Sequence, residues 1–134
     1  KIQKIAPRQY PWSVNALAQA IGAEIILDKP FQEKTRAETH QERDFTIQAL
    51  SSINEIEVFP SDANFLLFRI RDKSPPANLY QYLLSQSLLI RNCGNFIGLD
   101  ESFFRISLRC REENQKLVDS IAEYFLSSKQ SYRK

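Results

Sequence analysis

Phe103-Phe104-Arg105-Ile106-Ser107-Leu108-Arg109 is the most informative segment of this chain. Its apolar and polar residues follow a period of two, which is typical of a strand that packs on one face only. The apolar face carries Phe104, Ile106 and Leu108, and the other face carries Phe103, Arg105, Ser107 and Arg109. The stretch therefore predicts a half-buried strand whose open face meets something polar.

Leu88-Leu89-Ile90-Arg91-Asn92-Cys93 predicts a second strand with an arginine among apolar neighbours. A guanidinium group is always charged and presents a planar fork of donors that matches a carboxylate or a phosphate. Arg91 and Arg105 both lie beside the loop Gly94–Gly98, so together they indicate a site for a ligand with two acidic groups. Spacing and strand pattern alone favour solvated strand charges or ion pairs for every one of these arginines, and this stays the interpretation for Arg69, Arg71 and Arg109.

Periodicity and capping signals predict the other elements. They are a helix from Val14 to about Leu27 capped by Ser13, a helix from the cap Asp28 to about Ile53, an edge strand at Glu57–Pro60, a buried strand at Ala63–Arg71, a helix after Pro76, and a helix from Arg111 to about Ser127. This order predicts an α+β fold, in which a small antiparallel or mixed sheet is covered by helices.

The composition narrows the class of function. Eighteen basic residues against sixteen acidic ones give a net charge of only +2, which argues against a nucleic-acid binder. The sequence holds no apolar run long enough to span a membrane, and Cys93 and Cys110 are interpreted as free buried thiols of a cytoplasmic protein. His40 is the single histidine and lies among polar residues, so we expect a solvated side chain and neither a metal site nor a histidine-based triad.

Four ordered motifs carry a resemblance to a known family. They are Pro11–Ala18, Ala63–Leu67, Leu89–Cys93 followed by Gly98–Asp100, and Phe104–Arg109. In this order and spacing the chain resembles the C-terminal part of class I/II aminotransferases, which are fold-type I pyridoxal-phosphate enzymes. Within that family it is most similar to the threonine-phosphate decarboxylases of cobalamin biosynthesis, with histidinol-phosphate aminotransferases as near relatives.

The resemblance implies a role for each site residue. Arg105 would clamp the α-carboxylate of a small phosphorylated amino acid, and Arg91 would lie in the same pocket and reach the substrate phosphate. Asn15 and Asn64 match motifs of the family, although helix entry and strand start explain them equally well. The implied activity of the whole enzyme is decarboxylation of O-phospho-L-threonine, with histidinol-phosphate transamination as the alternative, by a cytoplasmic homodimer that uses pyridoxal phosphate.

The resemblance also implies a domain organisation. Residues 1–28 would be a lead-in and linker helix from a large domain, and residues 29–134 would be the small C-terminal domain. None of the lysines lies in a motif that matches the family's Schiff-base lysine. We therefore expect this chain alone to hold no catalytic residue and no bound cofactor, and to be inactive. The alternative of another class is a non-catalytic α+β module that binds an anion or a protein.

Overall fold

A computed structural model of the chain describes residues 14–71 and 76–131. The chain divides into two compact units with a boundary between Ala37 and Glu38. Four helices and four strands are described, which we number in chain order. They are α1 (Ala16–Leu27), α2 (Lys29–Ser51), β1 (Ile56–Val58), β2 (Phe65–Ile70), α3 (Pro76–Ser85), β3 (Arg91–Asn92), β4 (Phe103–Ser107) and α4 (Arg111–Ser131).

The four strands form one sheet in the order β1-β2-β4-β3, and every neighbouring pair is antiparallel. Strands β2 and β4 form the centre, where Leu66 lies opposite Ile106 and Phe68 lies opposite Phe104. The rings of this phenylalanine pair are stacked with centroids 5.6 Å apart. The α+β class predicted from the sequence is confirmed, and the sheet is antiparallel throughout.

The core of the second unit lies on one face of this sheet. Alternate residues of β2 and β4 are buried there against the apolar faces of α3 and α4 and the end of α2, as their period of two requires. The core residues are Leu50, Ile53, Ile56, Leu66, Phe68, Ile70, Leu79, Leu83, Ile90, Phe104, Ile106, Val118, Ile121 and Phe125. The opposite face of β4 carries Phe103, Arg105 and Ser107, which leaves Arg105 exposed.

All four strands are shorter than their predicted bounds, and helix α4 is longer. The strand predicted over residues 88–93 is reduced to the two residues of β3, because Ser87 turns the chain at a φ of 59° and Leu88 N–H is tied to the Leu83 carbonyl of α3 at 2.9 Å. The edge strand is Ile56–Val58 and not 57–60. Helix α4 runs four residues past its predicted end, to Ser131.

The first unit corrects the prediction for the start of α1. Asn15 is the N-cap, since its side-chain oxygen accepts a hydrogen bond from the backbone N–H of Ala18 at 2.8 Å, whereas Ser13 lies outside the described residues. The helix predicted from one-face periodicity is confirmed, and no residue of α1 is buried. Asp28 caps α2 as predicted, by accepting from Phe31 N–H at 3.0 Å.

The polar middle of helix α2 is partly buried. Arg43 and Thr46 are buried, because the C-terminal part of α2, which carries the core residue Leu50, packs within the second unit. The Thr46 hydroxyl donates to the Glu42 carbonyl at 2.6 Å, which satisfies a polar group that its own burial would otherwise leave unpaired. His40 is exposed as predicted, with Arg43 Nη2 in contact with its ring.

Among the described residues, no helix is both long and apolar enough to cross a lipid bilayer.

Candidate functional site

The two arginines singled out from the sequence lie directly opposite each other on neighbouring strands. Arg91 at the start of β3 is the register partner of Arg105 in the middle of β4. Both side chains are exposed. Side chains that face each other across an antiparallel pair are neighbours, and like charges in that position destabilise a sheet. The arrangement therefore favours a bound anion, which removes the repulsion.

A cavity of about 400 Å³ opens beside this pair. Its volume is within the range of small-molecule sites. The lining residues are Phe65, Tyr80, Leu89, Ile90, Arg91, Asn92, Arg105, Ile106 and Ser107. They combine apolar walls with two guanidinium groups, which suits a small ligand that carries acidic groups on a short carbon skeleton.

Each arginine has its own aromatic support. The guanidinium carbon of Arg105 lies over the ring of Phe65 at 4.6 Å from its centroid, and that of Arg91 lies over Phe96 at 5.8 Å. Arg91 also donates from Nη2 to Oδ1 of Asn95 at 3.0 Å. Aromatic faces attract a cation without taking an N–H donor away from a ligand. Both charges are thus held at the cavity.

The loop between β3 and β4 is closed by hydrogen bonds of Asn92. Its side-chain oxygen accepts from Gly94 N–H at 2.9 Å, and its side-chain nitrogen donates to the Glu101 carbonyl at 3.0 Å. The two ends approach so closely that a Cβ on Gly94 would lie 3.2 Å from Cα of Glu101. Only glycine fits there without a shift, so this residue type sets the path of the loop.

Asp100 ends the same loop in an Asx turn. The Ser102 hydroxyl and then the Ser102 backbone N–H donate to its carboxylate, and these hydrogen bonds lower the pKa of Asp100 below its ordinary value. The ionised carboxylate is therefore the form that fixes the return of the chain into β4.

Asn64 and Asn15 have structural roles. The Asn64 carbonyl accepts a hydrogen bond from Leu108 N–H at 2.9 Å and so extends the pairing of β2 with β4. Asn64 is not among the described residues that line the cavity. Asn15 caps α1 in the first unit. A direct contact of either side chain with substrate stays a prediction.

Of the three arginines interpreted as solvated charges or ion pairs, two are ion-paired and one is exposed. Arg69 pairs with Glu57 across β1 and β2, and Arg109 pairs with Glu113 at 3.3 Å. The pKa of Glu113 is lowered, first by the hydrogen bond from Arg109 and then by one from Cys110. Arg71 is exposed.

Three contributors to the site were not singled out from the sequence, namely Phe65, Asn95 and Tyr80. Phe65 was assigned to a buried strand, but it is 39% exposed because it lies on the open face with Arg105. Its signal was the period of two in β2, which places it and Leu67 on the face away from the core. Asn95 belongs to the loop predicted as the rim, but its contact with Arg91 depends on the turn geometry of the loop.

The cysteines differ from each other. Cys93 is buried as predicted, whereas Cys110 is exposed, because it lies between the end of β4 and the first turn of α4. In residues 14–71 and 76–131 there is no cluster of three or more His, Cys, Asp or Glu side chains able to hold a metal ion.

The described lining of this cavity lacks the amine that would hold an aldehyde cofactor covalently. A Schiff base needs a lysine amine within reach, and among the described residues none of those that line the cavity is a lysine. Lys116 is on α4, and Lys29 and Lys34 belong to the first unit. The charged side chains among the described lining residues are the two arginines, Arg91 and Arg105.

Comparison with known proteins bears on the family of the chain. The sequence model of the aminotransferase class I and II family matches residues 2–121. The chain belongs to the aminotransferase class I and II family. Its sheet and helices resemble those of a solved structure in this family. Histidinol-phosphate aminotransferase from Clostridium acetobutylicum superposes on this chain with a TM-score of 0.77. That likeness has 32% sequence identity and covers 91% of this chain and 36% of the other.

Two relatives of this aminotransferase-family chain are named as a threonine-phosphate decarboxylase and as an adenosylcobalamin biosynthesis protein. Threonine-phosphate decarboxylase of Salmonella typhimurium is 35% identical over 114 residues, which are 85% of this chain and 31% of that protein. The adenosylcobalamin biosynthesis bifunctional protein CobDQ of Leptospira interrogans is 33% identical over 94% of this chain and 15% of that protein. The chain thus spans about a third or less of the length of these relatives.

Proposed function

We propose that this chain is the substrate-anion-binding part of a pyridoxal-phosphate enzyme that decarboxylates O-phospho-L-threonine. The observation that carries the proposal is the pairing of Arg91 with Arg105 at the mouth of one cavity. O-Phospho-L-threonine has two acidic groups on a short skeleton, and two guanidinium groups on adjacent strands complement them. The similarity to threonine-phosphate decarboxylase supports this substrate over an unphosphorylated amino acid.

In this proposal Arg105 holds the α-carboxylate and Arg91 holds the phosphate. A bidentate guanidinium fork fixes the direction of a carboxylate as well as its position. Because the orientation of the carboxylate decides which bond at Cα is presented for cleavage, the arginine fork contributes to reaction control and not only to affinity.

The cofactor attachment belongs elsewhere in this proposal. Since the cavity lining among the described residues has no lysine, we infer that residues 1–134 alone are inactive and hold no cofactor covalently. Residues 1–28 would then serve as lead-in and linker helix and residues 29–134 as the small domain of a homodimeric cytoplasmic enzyme.

Transamination of histidinol phosphate is the second candidate. The similarity in structure to a histidinol-phosphate aminotransferase favours it, and the alternative needs the same arginine pair for its substrate phosphate. A third possibility, of another class, is a non-catalytic module that uses the arginine pair to bind an anion or a protein. The family membership favours the enzymes over this module.

The test uses the full gene product that contains this chain, with added pyridoxal phosphate. We expect carbon dioxide release from O-phospho-L-threonine, and a parallel assay measures transamination between histidinol phosphate and 2-oxoglutarate. Transamination without carbon dioxide release would move the function to the aminotransferase. Failure of both reactions in a folded protein that binds the cofactor would contradict both enzyme proposals.

A further inference from the structure

One amide side chain holds Arg91 at the cavity. Oδ1 of Asn95 accepts from Nη2 of Arg91 at 3.0 Å, and the next residue, Phe96, places its ring 5.8 Å from the guanidinium carbon. We propose that Asn95 is a positioning residue that directs Arg91 to the phosphate of the substrate and so contributes to selectivity for phosphorylated ligands. The assignment rests on the proposed function and extends it to a residue outside the arginine pair.

Arg91 needs such a partner because of its surroundings. Its side chain is exposed, and the opposing residue across the strands is Arg105, which carries the same charge. A free arginine side chain samples many rotamers, and repulsion from Arg105 would turn that of Arg91 away from the cavity. The hydrogen bond to Asn95 uses one of five N–H donors and leaves the others for a ligand.

The loop gives Asn95 a defined position. Phe96 N–H donates to the Cys93 carbonyl at 2.9 Å, which closes a turn around Asn95, and Leu99 N–H donates to the Phe96 carbonyl at 3.1 Å, which closes the next. The hydrogen bonds of Asn92 join the two ends of the loop. Asn95 is thus presented by a backbone that is tied on both sides, so ligand binding does not have to order it.

Arg105 is held in a different way. It lies over the ring of Phe65 at 4.6 Å, a contact that takes up no N–H donor. Asn95 is in the loop and Phe65 is in β2, so the two arginines have separate supports. Substitution of Asn95 should therefore weaken the phosphate contact and leave the carboxylate contact as it is.

The experiment compares Asn95→Ala with the unsubstituted holoenzyme, made from the full gene product. Calorimetry measures the binding of inorganic phosphate, O-phospho-L-threonine and L-threonine, and kinetics measure kcat and KM. We expect the Kd values of inorganic phosphate and O-phospho-L-threonine, and the KM of the latter, to rise about tenfold, as expected for loss of order in a charge-assisted contact. The kcat value and the Kd of L-threonine should stay within about twofold.

Asn95→Asp is the second variant, because it has the same shape and retains a hydrogen-bond acceptor for Arg91. Its carboxylate competes with the substrate phosphate for Arg91, so phosphate should bind more weakly to it than to Asn95→Ala. Gln115→Ala is the matched control, since Gln115 is an exposed amide on α4 that bonds Asp119 at 2.8 Å. We expect this control to change no constant by more than about twofold.

The outcomes separate this inference from the proposed function. The positioning role is overturned if Asn95→Ala leaves phosphate binding unchanged, if it weakens phosphate and L-threonine equally, or if Asn95→Asp binds phosphate as tightly as the unsubstituted protein. If no substrate is turned over but phosphate binding still depends on Asn95, the proposed reaction is wrong and the positioning role stands. If O-phospho-L-threonine is turned over but phosphate binding does not depend on Asn95, the proposed reaction stands and the positioning role is wrong.

Discussion

At the scale of single residues, the site depends on two arginines that the sheet places in an unfavourable relation. Arg91 and Arg105 face each other across β3 and β4, and each lies against an aromatic ring at the cavity. Arg91 also donates to an amide, that of Asn95. Like charges in register destabilise the free protein, so an anionic ligand gains affinity when it relieves the repulsion.

The first prediction concerns Arg105. In the full gene product we expect Arg105→Ala to lower kcat/KM for O-phospho-L-threonine by more than about 100-fold, because a bidentate charge-assisted contact is lost. Arg109→Ala is the control, since Arg109 lies just beyond the same strand and pairs with Glu113 outside the arginine cavity. Steady-state kinetics of both variants provide the measurement. Equal kinetics of Arg105→Ala and the unsubstituted enzyme would remove Arg105 from the site.

The second prediction concerns Gly94. An added Cβ would lie 2.9 Å from Cγ and 3.2 Å from Cα of Glu101, so Gly94→Ala should destabilise the second unit by about 1–3 kcal/mol, as overpacking does. Gly22→Ala is the matched control, because a Cβ on Gly22 in α1 meets nothing within 4 Å and alanine favours the helix. Urea unfolding of the three proteins measures the difference. A Gly94→Ala protein as stable as Gly22→Ala would show that the loop yields freely.

At the scale of elements, a polar cluster joins α2 to α4. The carboxylate of Glu42 accepts from Arg111 at 2.9 Å and from the buried amide of Asn114 at 2.8 Å. The guanidinium of Arg111 lies 3.8 Å from the ring centroid of Phe45. The cluster holds the start of α4, which follows β4 directly, and so it fixes the end of the strand that carries Arg105.

The third prediction tests this cluster. Glu42→Ala removes both hydrogen bonds and should lower the free energy of unfolding by about 1.5–3 kcal/mol, the range for hydrogen bonds to charged groups. Arg109→Ala, which breaks an exposed ion pair, should change it by less than about 1 kcal/mol. Chemical denaturation gives both values. An effect of Glu42→Ala no larger than that of the control would mean that the cluster contributes little to stability.

At the scale of the whole molecule, several exposed carboxylates are stabilised in their ionised form. Hydrogen bonds from Ser102 lower the pKa of Asp100, and hydrogen bonds from the helix backbone and from Cys110 lower that of Glu112. Glu113 is lowered chiefly by Arg109. The folded pKa values therefore lie below the ordinary values of 3.8 for Asp and 4.5 for Glu.

The fourth prediction follows from the sign of these shifts. A carboxyl with a depressed folded pKa stabilises the fold above its unfolded pKa, and the contribution is lost as pH falls through the folded pKa. We expect the urea midpoint to be steady from pH 7 to about 5 and to fall from about pH 4.5 downwards. Ser102→Ala should make the fall shallower, because it removes the largest cause of the Asp100 shift. A midpoint that stays level down to pH 3 would contradict the linkage.

The sequence predicted the elements whose pattern is local. The period of two in β4 placed Phe104 and Ile106 in the core and Arg105 outside, and the capping residue Asp28 marked the start of α2. Packing depends on partners that a local pattern does not contain, so the sequence did not predict that Arg43 is buried or that no residue of α1 is. Ser87 shortened β3 for the same kind of reason, since its turn is set by α3.

The α+β class, the family and the choice of Arg91 and Arg105 could be predicted without a structure, because alternation and motif spacing are properties of the chain. That these two arginines are register partners at one cavity, in contact with Phe65 and Asn95, became known only from the folded molecule. Register is fixed by which strands pair and by how the connecting loop turns. Those are interactions between segments distant in sequence, and they exist only once the sheet has formed.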